Sequence, residues 1–419
     1  MDPIIRTDVC IVGGGPGGSA AAIQLARHGI RAVLIEKAVF PRDKICGDAL
    51  SGKVMRSLER LDPALARTVI GDARGLPSWG VTFVAPSGRS LRVPFSRKIG
   101  LGEAPGLIMP RLDFDALLFQ KAKAAGGIEV HEGTSARSYT RRAEGWEIPL
   151  EGRTKATLQC RVVLAADGAN SHFARHVARL PMEPRHHAAG VRAYYSGVRY
   201  LDRDGFIELL FLKDLLPGYL WVFPLPDGRA NVGLGLRSDV VRKRRVDLKA
   251  LMTKLLAEHP QLRDRFRDAT LEGTIQGMGL PLASKRWPLS GDGYLLIGDA
   301  GHLIDPFTGE GISHAMISGV HAADVATEML AANDITATAA KQYDARVWKR
   351  LGKELAISTR LQRLADRAWL FDFVVDRANK NPALADTISC MFTDLDLRER
   401  LKKPGFYMDL MLGRATARH

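Results

Sequence analysis

The stretch "VCIVGGGPGGSAAAIQLARHGIRAVLIE", Val9 to Glu36, constrains the fold more than any other part of the chain. Val9 to Val12 is a short apolar strand, Gly17 to His28 has helical spacing closed by Gly29, and "RAVLIE" is a second apolar strand. Together they make a βαβ unit in which Gly13, Gly15 and Gly18 fall where a dinucleotide fingerprint needs them. Gly13 serves the tight turn, Gly15 the close approach of a pyrophosphate, and Gly18 the packing of helix on strand. Glu36 ends the second strand, where a carboxylate can accept hydrogen bonds from a ribose. An isolated GxGxxG says little; strand, helix and terminal acid together make it specific.

A second apolar strand and glycine turn occur far along the chain, in "GYLLIGDAGHLIDPFTGEGIS". Asp299 closes that strand and can accept hydrogen bonds from a polyol such as ribitol; the alternative is that it caps the following helix. The glycines of "PFTGEGIS" open a helix whose positive end suits an anion. A reduced flavin carries negative charge on its N1/C2=O edge, so the pair of motifs points to FAD over NAD.

The chain has 419 residues, 46% of them hydrophobic, enough for two or three packed modules. Its four cysteines, Cys10, Cys46, Cys160 and Cys390, are far apart with no CxxC pair, and the start reads as a strand feeding a glycine turn rather than a secretory leader. No apolar run approaches the roughly 18 residues of a spanning helix. These features point to a cytoplasmic protein, at most peripheral on the inner face of a membrane. The formal net charge of +14 asks for an anionic partner. Its densest cluster, "RKRR" at Arg242 to Arg245, reads as a solvated helix start or as a contact with an anionic membrane. No aromatic-interleaved basic motif accompanies it, which argues against nucleic acid, and no metal site is expected. "RAWLFDFVV" and "FYMDLMLG" near the C-terminus are amphipathic segments suited to a membrane surface or to core helices.

The rest of the pattern predicts an α/β chain, α+β overall, with interleaved domains. A Rossmann-like FAD-binding domain is expected over 1–75, 105–180 and 285–335, a β-sheet substrate domain over 76–104 and 181–284, and a helical region over 336–419. Within the first, "RLDFDALLFQKAKAAGG" is a helix with Phe114, Leu117, Leu118, Ala122 and Ala125 on one face.

Gly13 to Glu36, Arg111 before its helix, "AADGANS" at Ala165 to Ser171 and "GDAGHLIDPFTGEGI" at Gly298 to Ile312 resemble, in order, the cofactor motifs of the hydroxybenzoate-hydroxylase-like FAD superfamily. Within it, "KICGDALSG" and "GYLWVFPLPDGRANVGLG" are similar to the geranylgeranyl reductase family, the second fitting that family's lipid-site pattern of Tyr219, Trp221, Phe223 and Pro224 followed by Gly233 and Gly235. The resemblance implies Glu36 at the adenosine ribose, with Gly13, Gly15, Pro16, Gly17, Gly18, Lys37 and Ala136 as further cofactor-binding residues. It implies Asp167 and Gly168 at the pyrophosphate, and Gly298 and Asp299 at the ribitol. Cys46 would lie over the flavin ring, Gly309, Gly311 and Ile312 at the isoalloxazine edge and Arg111 against the cofactor, with Gly47, Ala49 and Pro306 as further cofactor-binding residues. Cys46, Gly47 and Asp48 form the implied catalytic loop, where the thiol tunes the flavin, donates a proton or only packs. Ala49 stands where a related group often has glycine, and the C-terminal helices match no motif of the family, so the substrate's identity stays open.

Tyr219, Trp221 and Phe223 alternate along a strand and so share one face, either as ordinary core or as the wall of an isoprenoid tunnel. The expected function is an FAD-dependent reductase of C=C bonds in a polyprenyl chain on a lipid or quinone. With no second GxGxxG, its electron donor, NADPH, NADH or a reduced carrier protein, visits transiently. The competing readings are a flavin monooxygenase or halogenase, whose "WxWxIP"-like motif contrasts with "YLWVFP" here, and a lipid-binding flavoprotein without turnover.

Overall fold

The computed structural model describes residues 2–95, 103–364 and 367–381. Strand Ile4–Val12 is the pivot of the larger sheet. On one side it pairs in parallel with Ala32–Glu36, which pairs with Ile128–Glu132; on the other it pairs in parallel with Ala156–Ala165, which pairs with Tyr294–Leu296. The chain therefore winds outward one way and then crosses to the other side. That reversal opens a crevice at the carboxyl ends of Ile4–Val12 and Ala156–Ala165, the place where ligands settle in open α/β sheets. An antiparallel meander, Thr134–Ala136, Thr140–Arg142 and Gly145–Gly152, extends the sheet along the first half of Ala156–Ala165.

Alternation along the pivot strand sends Val9 and Ile11 into one core and Cys10 and Val12 into another. The first core is shared with helices Pro16–Arg27, Arg111–Lys123 and Ile312–Ala331. Small residues set the approach of these helices: a Cβ on Gly319 would lie 2.2 Å from the carbonyl oxygen of Gly17. In Arg111–Lys123 the expected Phe114, Leu118 and Ala122 are buried and Leu117 is half-buried, whereas Ala125 falls beyond the helix, which Ala124 caps. Arg111 and Asp115, one turn apart, are buried on the same helix as an ion pair, which a purely apolar periodicity cannot anticipate.

The second sheet has the order Thr270–Pro281, His187–Ser196, Ala230–Arg237, Tyr219–Pro224, Ile207–Leu210, Gly80–Val84, Ser90–Pro94. Leu220, Val222, Val232 and Leu234 pack on one side against helix Leu248–Glu258. Trp221, Phe223, Leu209 and Phe83 belong to the opposite side, in a cluster with Ile108 and with Val375 of helix Ala368–Lys380. A small sheet of Ala49–Leu50, Gly106–Ile108 and Leu76–Ser78 is interleaved in sequence with the first strands of the second sheet.

The basic run does not open a helix as expected. Arg242, Lys243 and Arg244 form the last turn of Ser238–Arg244, Arg245 is its left-handed cap, and Asp247 caps the following helix instead. Cations at a helix C-terminus and an acidic cap at an N-terminus both match the helix dipole. Two helices, Ala337–Leu364 and Ala368–Lys380, complete the described C-terminal part. The segment "FYMDLMLG" and Cys390 lie outside the described residues. Among the described residues no helix is long and apolar enough to cross a membrane.

Register explains one glycine of the "GLG" pattern. Gly233 is paired directly opposite Trp221, and a Cβ there would lie 2.2 Å from the indole and 2.4 Å from the Val191 carbonyl oxygen. The indole thus occupies the space that a side chain on Gly233 would need. Gly233→Ala is expected to lower the unfolding free energy by about 1–3 kcal/mol, as overpacking does, measured by urea denaturation; an unchanged midpoint would show that Trp221 relaxes freely.

Candidate active site

The crevice widens into a cavity of about 680 Å³ that reaches from the glycine turn after the pivot strand to the aromatic face of the second sheet. Of the residues singled out in the sequence, Gly13, Gly15, Pro16, Gly17, Glu36, Lys37, Ala136, Asp167, Gly168 and Asp299 line it. So do Cys46, Gly47, Ala49, Arg111, Pro306, Gly309, Gly311 and Ile312, together with Tyr219, Trp221, Phe223 and Gly235. Gly18, Asp48, Pro224, Gly233 and Gly298 do not. Gly18 packs instead: a Cβ there would sit 1.9 Å from the Gly13 carbonyl oxygen. Gly298 has φ of +59° and abuts Ala315.

The nucleotide end is built around Gly13, whose φ of +100° turns the chain so closely past Ala166 that a Cβ would lie 2.5 Å from its carbonyl oxygen. Glu36 accepts from the backbone N–H groups of Gly14 at 2.7 Å and Ala38 at 2.8 Å. It therefore braces the glycine turn besides facing the cavity. At Gly15 the Cβ position is open, with only an Arg42 nitrogen at 3.7 Å. Opposite, Asp167 accepts from the N–H groups of His172 and Phe173 through Oδ2, while its buried Oδ1 has no partner. Burial pushes its carboxyl above the usual range. An acceptor left without a partner and a bare glycine backbone, both on residues that line one cavity, fit a ligand that brings both hydroxyls and phosphates, as FAD does. Asp299 does not cap the helix Ile312–Ala331, whose N-cap is Gly311; its Oδ2 accepts from Lys44 at 3.2 Å.

The loop Cys46–Asp48 joins the second sheet to the start of helix Arg111–Lys123. Asp48, in the left-handed region at φ of +54°, is fully buried and does not line the cavity. Its Oδ2 accepts from Tyr194 at 2.8 Å and Asn231 at 2.7 Å, and its Oδ1 from the Arg111 N–H at 3.1 Å. Asn231 also donates to the Cys46 carbonyl at 2.8 Å and accepts from the Trp221 indole N–H at 2.9 Å. Arg192 holds the preceding residues through Asp43 at 2.7 Å and the Lys44 carbonyl at 3.1 Å. Gly47 packs beneath the Phe223 ring, where a Cβ would come within 2.8 Å. Beside Cys46, the Arg111 guanidinium is fixed by both oxygens of Asp115, at 2.6 and 2.7 Å, and Arg42 adds a third bond to Asp115 at 2.6 Å. Burial pushes the Asp115 carboxyl up, but the two guanidiniums outweigh it and hold it below the usual range. Arg111 thus presents a fixed positive charge to the thiol.

Asn231, Tyr194, Arg192 and Asp115 were not among the residues singled out in the sequence. Asn231 and Arg192 left a signal, each a lone polar residue amid apolar strand neighbours in "ANVGLG" and "AAGVRA"; Tyr194 and Asp115 left none.

At its opposite end the cavity runs over Gly235, paired with Tyr219 on one side and with Gly190 on the other. A Cβ on Gly235 would meet only the Ala189 carbonyl oxygen, at 3.9 Å. The Tyr219 hydroxyl donates to the Thr308 carbonyl at 2.5 Å and ties this wall to the loop before Gly309.

Fold and cavity define an FAD-binding oxidoreductase, and residues 6–201 match the FAD binding domain family. The chain is 30% identical to the digeranylgeranylglycerophospholipid reductase of Methanocaldococcus jannaschii over 94% of each chain. It is 29% identical to the menaquinone reductase of Mycobacterium tuberculosis, over 85% of this chain and 83% of that one. Its fold matches a geranylgeranyl bacteriochlorophyll reductase-like protein from Thermoplasma acidophilum with a TM-score of 0.80 and 24% identity, covering 95% and 99% of the two chains. The chain belongs to the geranylgeranyl reductase family of FAD-dependent oxidoreductases.

Burial raises the Asp48 carboxyl to about 6 from 3.8, against the lowering effect of Asn231, Tyr194, Arg192 and the Arg111 N–H. A carboxyl raised in the folded state favours folding at low pH, and that advantage fades as pH climbs from the unfolded value through the folded one. The loss amounts to on the order of 3 kcal/mol. Asp48→Asn should abolish this decline in denaturant stability between about pH 4 and pH 6; an unchanged slope would assign it to other groups.

Proposed function

We propose that the protein saturates C=C bonds in a polyprenyl chain carried on a lipid, quinone or similar head group. One observation carries this reading: a single cavity joins the nucleotide-binding turn to the wall of Tyr219, Trp221 and Phe223, with Cys46 between them. The names of the archaeal and mycobacterial relatives support it. Gly15, Asp167 and Gly168 would hold the pyrophosphate, Glu36, Lys37 and Ala136 the adenosine end, and Asp299 the ribitol. Ala49, Arg111, Pro306, Gly309, Gly311 and Ile312 would border the ring system. When bound there and reduced by NADPH, NADH or a reduced carrier protein, the flavin would supply the hydride that alkene reduction needs.

The chain's own residues supply placement, a dry wall and a proton. Trp221 and Phe223 are nearly buried, and with Tyr219 and Leu209 they exclude water from an alkene that has no carbonyl to activate it. Cys46 faces the cavity beside Arg111, so a proton held at its Sγ is placed for transfer to the chain. Asp48 and Asn231 act at one remove by fixing that loop. Trp369 and Phe373, 63% and 37% exposed on helix Ala368–Lys380, support peripheral contact with a membrane.

Gly15→Val should purify without flavin, because its side chain would enter the cavity at the pyrophosphate's approach. Cys46→Ser should keep FAD and slow alkene reduction about tenfold or more. Trp221→Ala should keep flavin reduction intact and alter the selection among double bonds. Anaerobic single turnovers from prereduced enzyme, with loss of unsaturation followed by mass spectrometry, separate these outcomes. Product formation that requires oxygen would favour a monooxygenase instead.

A further inference from the structure

Helix Ala337–Leu364 matched no motif, yet Gln362 reaches the loop that borders the cavity after Asp305, and Glu354 reaches the first turn of the helix that follows that loop. Gln362 donates to the Pro306 carbonyl at 2.7 Å. Glu354 pairs with Lys53, from helix Gly52–Leu61, and faces His314, from the first turn of helix Ile312–Ala331. Lys53 is 7% exposed, the His314 side chain 1% and that of Glu354 23%. Above them Glu310 lines the cavity, and its Oε1 accepts from Ser51 at 2.7 Å and Ser313 at 2.6 Å.

The contacts of His314 decide its charge. Nδ1 lies 2.7 Å from the Leu303 carbonyl oxygen, which can only accept, so Nδ1 carries a hydrogen. In a neutral ring Nε2 would then be a bare acceptor. It is buried, makes no hydrogen bond, and stands 3.8 Å from Glu354, an ion-pair separation rather than a hydrogen bond. A lone pair facing a carboxylate repels it, whereas a protonated Nε2 attracts it. Burial works against that proton and Lys53 opposes it, but Glu354 and Glu310 prevail and the imidazole is pushed up. Lys53 likewise overcomes its burial through Glu310, Glu354 and Asp305.

We propose that Glu354 is a positioning residue of the flavin site: it holds His314 as an imidazolium and Lys53 as an ammonium, which fixes Glu310 and the first turn of the cofactor helix against the cavity. This rests on FAD occupying that cavity. The direct test is 15N NMR of histidine-labelled protein, with the His314 signal assigned by its loss in His314→Asn. Both ring nitrogens should be protonated at pH 7 in the wild type, and one should lose its hydrogen in Glu354→Gln. A neutral wild-type ring at pH 7 would overturn the proposal. The second readout is FAD affinity of the apoprotein by fluorescence titration. Wild-type affinity should weaken as pH rises through the titration seen by NMR. Glu354→Gln and His314→Asn, the latter retaining a donor toward Leu303, should bind about tenfold more weakly at pH 7 and lack that pH dependence. Folded variants with wild-type affinity and wild-type pH profile would also overturn it. A wild type that takes up no FAD would instead count against the flavin reading, and the ring titration would still decide the charge of His314.

Discussion

A buried carboxylate joins the two halves of the site. Asp48 receives hydrogen bonds from Tyr194 and Asn231 of the aromatic sheet and from the backbone at Arg111, which opens a helix of the nucleotide-binding unit. Its burial opposes its charge, and three donors offset only part of that opposition. The arrangement is worthwhile only because it fixes geometry: Cys46 stands one residue beyond Gly47, its carbonyl held by the same Asn231 that receives the Trp221 indole. Thiol and aromatic wall therefore share one anchor. A shift of either sheet relative to the other would leave a buried acceptor unpaired, and this couples their spacing to stability.

What could be read in the sequence was what short-range covalent geometry dictates. The glycine turn, its helix and the acid-ended strand are contiguous, and each glycine answers a local steric need, so Gly13 and Gly18 behave as expected from spacing alone. Alternation likewise placed Tyr219, Trp221 and Phe223 on one face. It could not choose between core and cavity wall, and the structure has them at the edge of both. The failures share a cause. Tyr194 and Arg192 meet the loop at residues 43–48 only because two sheets close on one another, a contact between distant segments that no periodicity encodes. Arg111 and Asp115 share the buried side of a helix that hydrophobic spacing assigned to apolar residues alone. The basic run at Arg242 to Arg245 was attached to the wrong end of a helix because Asp247, the true signal of the next start, follows it so closely.

The two glycines of the "GLG" segment serve opposite ends. Gly233 is bare because Trp221 occupies the space a side chain would need. Gly235 is bare with almost nothing above it, so its missing side chain is simply room. Added bulk there would project into the hollow without displacing backbone or core. The depth of the hollow and the integrity of the sheet are thus governed by different positions on one strand. A side chain at Gly235 would change the volume of the hollow alone, like moving a stop along a ruler, while Gly233 keeps the indole seated.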